Sequence, residues 1–335
     1  MKKRAIAMLL AGALCASMAG CSSTGESSSG GETAGETQYN VSVILKTLSA
    51  EYFQYLKAGA EAYAAEHPDE VAVAVKGPPS ETSFQDQLNM IQTDLSDVSY
   101  DGYIISPLQQ DMVANLIQDT EKPVIALDTN IESDKVVTFV GTGNEEAAKQ
   151  GAIAAVEAAK EAGWTEIQCI EIAGVQGDST NTARMNGYKA GIEEAGGDFL
   201  EDEVQYAEAT ATRAVDAMNG IISRYPDGIA IICANNDDMA IAASKAARDS
   251  GNQAYANTIF LGFNGDRAAC EAILADELTM SIAQMAYEMG YKSVEAMVQT
   301  LDGEQVEPNI DSGSEVITID NAQERLDTLD EQLGS

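Results

Sequence analysis

The chain has 335 residues, room for two domains of ordinary size, and a formal charge of −35 from 54 acidic residues against 19 basic ones. A surface of that sign repels nucleic-acid phosphates and anionic lipid headgroups, so neither is an expected partner. With one histidine, His67, and cysteines at no metal-ligand spacing, no metal site is expected, and a Ser-His-Asp or Cys-His arrangement would need His67 as its base. Beside Pro68, His67 reads instead as a helix C-terminal residue.

Residues 1–20 read as a signal peptide: basic Lys2 to Arg4, apolar Ala5 to Met18, then Met18-Ala19-Gly20-Cys21. The last four resemble a bacterial lipobox, which implies that Cys21 becomes the first mature residue and carries lipid on its thiol. Residues 21–38, made mostly of Ser, Gly, Glu and Thr, offer almost nothing to bury and read as a flexible, lipid-anchored linker. No later run is long and apolar enough to span a bilayer.

From residue 39 the pattern is strand, loop, helix, repeated. Predicted strands are Val41 to Leu45, Val71 to Val75, Tyr103 to Ile105, Val124 to Leu127 and Val136 to Val140. Between them lie helices Tyr52 to His67, Phe84 to Leu95 and one around Met112 to Ile117. Gly141-Thr142-Gly143-Asn144 then opens an Ala-rich helix, Glu145 to Ala162. Glu146 stands where a dinucleotide fingerprint needs its third glycine, so this reads as a domain crossing with permissive glycines.

A second series starts at Ile167 and continues through a polar loop, Ala173 to Thr182, into a helix carrying Arg184, Gly187 and Tyr188. A strand near Val204 and a helix from Arg213 to Ser223 follow. Ile229 to Ala234 reads as a strand buried on both faces, and Asn235 to Asp238 as residues that can cap the next helix, with Asn236 expected to turn toward a solute rather than only cap. Strand Ile259 to Phe263 ends at Asn264, a helix runs near Ala268 to Leu274, and strand Thr279 to Ala283 ends at Gln284. Helix Met285 to Leu301, strand Glu315 to Ile319 and an acidic tail complete the chain. The alternation predicts an α/β fold of doubly wound parallel sheets, and two similar halves in tandem suggest a cleft between them. Cys169 and Cys233, in predicted strands, read as buried free thiols; an oxidising compartment permits a bridge, but sequence does not set its geometry.

The strand ends share a chemistry. Lys46, Ser106, Asp128, Arg184, Asn236, Asn264 and Gln284 all carry hydrogen-bonding groups, and Tyr52 and Phe53 open the first helix. Planar amide, carboxylate and guanidinium groups grip adjacent hydroxyls in pairs, and an aromatic ring covers a sugar's apolar face.

Seven segments carry a resemblance over almost all of residues 40–320: VILKTLSAEYF (Val43 to Phe53), IISP (Ile104 to Pro107), PVIALD (Pro123 to Asp128), TARMNGY (Thr182 to Tyr188), ANNDDMA (Ala234 to Ala240), FLGFNGD (Phe260 to Asp266) and SIAQ (Ser281 to Gln284). In this order they resemble the periplasmic sugar-binding proteins of the ribose and galactose type, type I periplasmic binding proteins that feed ABC transporters. The resemblance implies two Rossmann-like lobes with parallel sheets flanked by helices, joined by three hinge crossings near Thr142, Gln284 and residue 313. The N-terminal lobe is expected to hold residues 39–142 and 285–312, and the C-terminal lobe 143–284 and 313–335. Tyr52 and Phe53 would stack on the sugar, and Asp128, Arg184, Asn236 and Gln284 would bond its hydroxyls, with Lys46, Ser106, Thr129 and Asn264 completing the site.

Departures argue against ribose itself: Lys46 replaces a small polar residue, Thr129 a second arginine and Asn264 an Asp, and the region around Ala209 lacks an aromatic. Lys46 and Arg184 against Asp128 give the expected pocket one net positive charge, which favours a sugar derivative with an acidic group unless Glu81 neutralises Lys46. The resulting expectation is a substrate-binding lipoprotein, not an enzyme. It would work without a cofactor, be monomeric, and lie outside the cytoplasm on the cell envelope, where it delivers a monosaccharide or related derivative to an ABC permease and its ATPase. The alternatives are a sugar sensor for chemotaxis or kinase signalling and an exported carbohydrate-active enzyme in which Asp128 pairs with another carboxylate. The leader and the absence of an N-terminal DNA-binding helix pair exclude a transcriptional regulator.

Overall fold

Runs of four to six apolar residues fold as buried strands, and each is followed by a helix whose apolar face covers the sheet. The computed structural model describes residues 39–333, all within one compact unit; the expected signal peptide, Cys21 anchor and linker to residue 38 lie outside the described residues. Among them no helix is long and apolar enough to cross a membrane.

The first series is β1 (Tyr39–Ile44), α1 (Glu51–Glu66), β2 (Val71–Lys76), α2 (Phe84–Ser96), β3 (Gly102–Ile105), α3 (Gln110–Leu116), β4 (Val124–Leu127) and β5 (Val136–Gly141). The second is α4 (Asn144–Glu161), β6 (Gln168–Ala173), α5 (Ser179–Glu194), β7 (Asp198–Phe199), β8 (Gln205–Tyr206), α6 (Ala211–Arg224), β9 (Ile231–Ala234), α7 (Asp237–Asp249), β10 (Ile259–Asn264), α8 (Arg267–Leu274) and β11 (Met280–Gln284). Then come α9 (Ala286–Leu301), β12 (Asn309–Asp311), β13 (Ser314–Ile317) and α10 (Ala322–Leu333).

These strands make two sheets. The first runs β12-β5-β4-β3-β1-β2, parallel throughout, and the second β13-β11-β10-β9-β6-β7, with β8 also on β6. The expected parallel sheets are present, and one edge strand, β13, runs antiparallel to β11. The chain therefore passes between sheets after Gly141, after Gln284 and after Asp311. Central strands β3, β4, β9 and β11 are buried at every position, each large aliphatic side chain stabilising the fold by about 1.5–3 kcal/mol.

The strand expected near Val204 is β8, two residues long, and a 3-10 turn, Glu201–Glu203, separates it from the equally short β7. Two local expectations are corrected. A short strand, β12, occupies 309–311, where none was expected, and joins the edge of the first sheet. The acidic tail is a helix, α10, which buries Ala322, Arg325 and Leu329. Arg325 donates to the carbonyls of Gly265 (3.0 Å) and Gln284 (2.8 Å), tying that helix to the second crossing.

Helices α1 and α9 meet backbone to backbone, and two glycines permit it. A Cβ at Gly59 would lie 1.9 Å from the Tyr287 carbonyl oxygen, and one at Gly290 2.0 Å from that of Leu56. This contact places α9, which follows the second sheet's last parallel strand in sequence, against the first sheet. Cys169 and Cys233 are free and buried, their sulfurs 3.5 Å apart on adjacent strands. His67 caps α1, donating its backbone N–H to Tyr63 and stacking its ring on that tyrosine.

Candidate binding site

The carboxyl ends of both sheets face one cavity of about 50 Å³. It adjoins an outer chamber of about 230 Å³, and Ala50, Glu81, Ala209 and Asp238 line both. In each sheet this is the end where the strand order reverses, between β1 and β3 in the first and between β6 and β9 in the second, the place where open α/β sheets take ligands.

From the first sheet, Asp128 stands just past β4. Its carboxylate accepts from Tyr52 OH (2.8 Å), Ser106 Oγ (3.3 Å) and Thr129 Oγ1 (3.2 Å), and Lys46 Nζ lies 3.6 Å away. Gln87 on α2 fixes the surroundings by donating to the carbonyls of Leu45 (3.1 Å) and Ser106 (2.8 Å). Lys46 itself reaches across the cleft to donate to Asp178 at 2.8 Å. Burial alone would lower the Lys46 pKa, but the carboxylates of Asp178, Asp128 and Glu81 outweigh it and hold the ammonium above its usual range. Burial would raise Asp178, and Lys46 more than offsets that, so its carboxyl sits low. A second link between the sheets joins the hydroxyls of Thr129 and Thr180 at 2.7 Å, and Gln110 donates to Ser179.

From the second sheet, Arg184 on α5 is 5% exposed. Its Nε donates to Asn144 Oδ1 (2.8 Å), its other nitrogen to the Asn235 carbonyl (2.7 Å), and the guanidinium lies 3.7 Å from the centre of the Phe263 ring. Asn144 belongs to the Gly141-Thr142-Gly143-Asn144 crossing, so that segment does more than permit a turn: it orients the arginine. Asn236 caps α7, its Oδ1 accepting from Met239 N at 2.9 Å. Asn236 thus caps the helix and also lines the cavity. Gln284 donates to Asn264 Oδ1 (3.0 Å) and accepts from Tyr52 OH (3.3 Å).

Of the ten residues expected at the site, Lys46, Tyr52, Phe53, Asp128, Arg184, Asn236 and Asn264 line the cavity. Ser106, Thr129 and Gln284 stand behind it, holding Asp128, Thr180 and Asn264. Tyr52 and Phe53 meet edge to face at 5.1 Å. Sequence reasoning missed Asp178, Thr180, Asn181, Asn235, Asp238 and Asp266 as lining residues. Asp178 and Asp266 were readable as helix caps, which they are, but nothing local told which caps face the cleft.

The charge balance is also corrected. Two cations share the cavity wall with five carboxyl groups, those of Glu81, Asp128, Asp178, Asp238 and Asp266. Asp178 and Asp128, not Glu81, form the ion pairs with Lys46. Burial raises the Glu81 carboxyl to about 7 against the pull of Lys46. Burial and the neighbouring Asp237 push the Asp266 carboxyl well up.

Backbone strain gathers at the same place. The non-glycine residues with positive φ are Asp128 (63°), Glu208 (50°), Ala209 (55°), Asn264 (134°) and Asp276 (59°), and all but Asp276 line the cavity or the outer chamber. Such conformations cost on the order of 1–3 kcal/mol each and persist at ligand sites.

Comparison with known proteins follows this geometry. The ribose import binding protein of Salmonella typhimurium is 27% identical over 270 residues, covering 80% of this chain and 86% of that protein. That of Bacillus subtilis is 25% identical over 276 residues, 82% of this chain and 85% of its own length. A carbohydrate transporter solute-binding protein from Agrobacterium radiobacter, solved with D-arabinose, has the same fold: TM-score 0.77 and 21% identity, covering 87% of this chain and 98% of the other. A family profile described as periplasmic binding protein domain matches residues 41–305. With its two sheets opposed across one cavity and that profile spanning both, the chain belongs to the periplasmic binding protein family.

Proposed function

We propose that this chain is an extracytoplasmic receptor that closes on a monosaccharide or a related sugar derivative and delivers it to an ABC permease driven by a separate ATPase. In this reading Cys21 carries the lipid anchor, residues 21–38 tether the folded part, and the protein acts as a monomer without cofactor. The observation that carries the proposal is the meeting of hydrogen-bonding groups from both sheets at one cavity. Asp128 supplies acceptors, Arg184 and Asn235 supply donors, and Tyr52 and Phe53 supply apolar ring surface. Such a set matches a molecule whose hydroxyls both donate and accept and whose C–H face is apolar.

Closure follows from the same arrangement. The crossings after Gly141, Gln284 and Asp311 are the hinges, and a ligand that touches both sheets only when the cleft is shut shifts the population toward the shut form. The Lys46–Asp178 and Thr129–Thr180 links hold that form together.

A melting-temperature screen of the full chain against pentoses, hexoses, polyols and sugar acids tests the reading, because a ligand that binds only the folded state raises the transition. At least one neutral or basic sugar or polyol is expected to raise it in a concentration-dependent way, and the shift is expected to vanish in Asp128→Ala. A screen in which only sugar acids or non-carbohydrate solutes give a shift overturns the proposal.

A further inference from the structure

The carboxyl groups of the cavity divide into those already engaged and those not. Asp128 and Asp178 are paired with Lys46, and Asp266 caps α8 through Ala269 N at 3.2 Å. Glu81, in the loop after β2, and Asp238, in the first turn of α7, make neither a hydrogen bond nor a close ion pair through their side chains among the described residues. These two line both the inner cavity and the outer chamber and stand on opposite sides of the cleft.

Neither cation on the wall is in contact with them. Lys46, whose charge Glu81 feels, is held at close range by two other carboxylates, and Arg184 is turned to Asn144, the Asn235 carbonyl and the Phe263 ring. Among the described residues no lysine or arginine lines the outer chamber, where Glu208 is paired with Arg213 at 3.0 Å and Thr47, Ser49, Ser80 and Thr210 contribute to the wall. A separate observation points to a ligand in the inner cavity. Asn235 is 8% exposed and lines it, and its amide Nδ2 has no hydrogen-bond partner. A buried amide donor left unmade costs about 1–3 kcal/mol, which a ligand oxygen recovers.

We infer that the ligand is an amine-bearing sugar or polyol, whose ring oxygens meet Asn235 and Arg184 and whose protonated amine is received by Glu81 and Asp238 where the inner cavity opens into the outer chamber. This rests on the sugar-binding reading and names the substrate class within it. An ammonium supplies up to three N–H donors and the positive charge that the two carboxylates lack, and charge-assisted bonds of this kind are roughly twice as strong as neutral ones. Because Glu81 and Asp238 come from opposite sides of the cleft, a cation touching both also favours the shut form.

Titration calorimetry on the full chain with D-glucosamine, D-galactosamine and D-mannosamine, each beside its parent hexose and its N-acetyl derivative, tests the inference. In at least one of the three sets the amine is expected to bind tenfold or more tighter than both the parent and the N-acetyl compound. Glu81→Gln, and independently Asp238→Asn should the first variant fold poorly, is expected to bring that preference to threefold or less. Parent hexoses that bind as tightly as their amines in every set overturn the inference and leave the sugar-binding reading standing. Failure of all nine compounds to bind overturns the inference, and the sugar-binding reading falls with it only if no pentose or polyol raises the melting temperature.

Discussion

The two sides of the cleft are built differently. On the first side, Asp128 is fully enclosed by donors from Tyr52, Ser106 and Thr129, with Lys46 beside it, and Gln87 ties the loops that carry two of them. On the second side, buried polar groups are left without partners: both carboxyl oxygens of Glu171 on β6 and the amide nitrogen of Asn235. A satisfied network fixes geometry before a ligand arrives, whereas unsatisfied groups cost stability until something meets them. The first side therefore serves as a prebuilt anchor, and on the second the Asn235 amide, which lines the cavity, is the group that gains from closure.

The largest effect expected from disturbing this contrast is on the anchor. Asp128→Ala leaves the Tyr52, Ser106 and Thr129 hydroxyls without their shared acceptor and places alanine at a φ of 63°. It is expected to cost roughly 3 kcal/mol in unfolding free energy measured by urea titration, and to abolish sugar binding. Arg184→Ala is not a clean probe of binding, because the side chain also packs on Phe263 and bonds Asn144.

Next comes Glu171, fully buried, whose carboxyl burial lifts to about 8 against the opposing pull of Arg184. The folded state therefore holds a proton that the unfolded state has released once the pH passes the ordinary glutamate value of 4.5. Stability from this group is complete below that value and is lost as pH rises toward 8. Glu81, lifted to about 7, and Asp237, lifted to about 6, act in the same direction. The melting temperature is expected to fall between pH 5 and pH 8. Glu171→Met is expected to fall less steeply and to be more stable at pH 8 by roughly 1–3 kcal/mol, since an apolar group of similar volume carries no desolvation cost.

The smaller effects separate two neighbouring asparagines. Asn236→Ala is expected to cost about 1 kcal/mol of stability through the lost cap of α7, measurable by urea denaturation. Asn235→Ala is expected to change stability by no more than roughly 0.5 kcal/mol, because its amide nitrogen bonds nothing and its carbonyl, which Arg184 uses, is backbone. The same variant is expected to weaken binding of the selected sugar at least tenfold by calorimetry. Equal losses of stability in the two variants would erase the contrast.

The legibility of this chain follows from what local sequence encodes. Strands such as Val124 to Leu127 and Ile259 to Phe263 were readable because a parallel strand covered on both faces must be continuously apolar. The edge strand at Asn309 was not, being three residues long and half exposed. Helix α10 was hidden by its charge, since the face it buries joins Ala322 and Leu329 to a charged residue, Arg325, that bonds two backbone carbonyls. At the site, strand-end residues such as Lys46 and Asp128 could be named because strand ends point at the crevice. Their partners could not: the Lys46–Asp178 pair spans 132 residues, and the identity of such a pair is a property of how the two sheets face each other. The positive charge expected of the pocket failed for that reason, since Asp178 and Asp266, the N-caps of α5 and α8, bring further carboxyl groups to the cavity wall.

The most direct test of the account is a crystal structure of the chain with the sugar that raises its melting temperature most. The account predicts one ring between the sheets, with hydroxyls within hydrogen-bond distance of Asp128 on one side and of Arg184 and the Asn235 amide on the other. A sugar bound to one sheet alone, or outside the space these residues enclose, would contradict it.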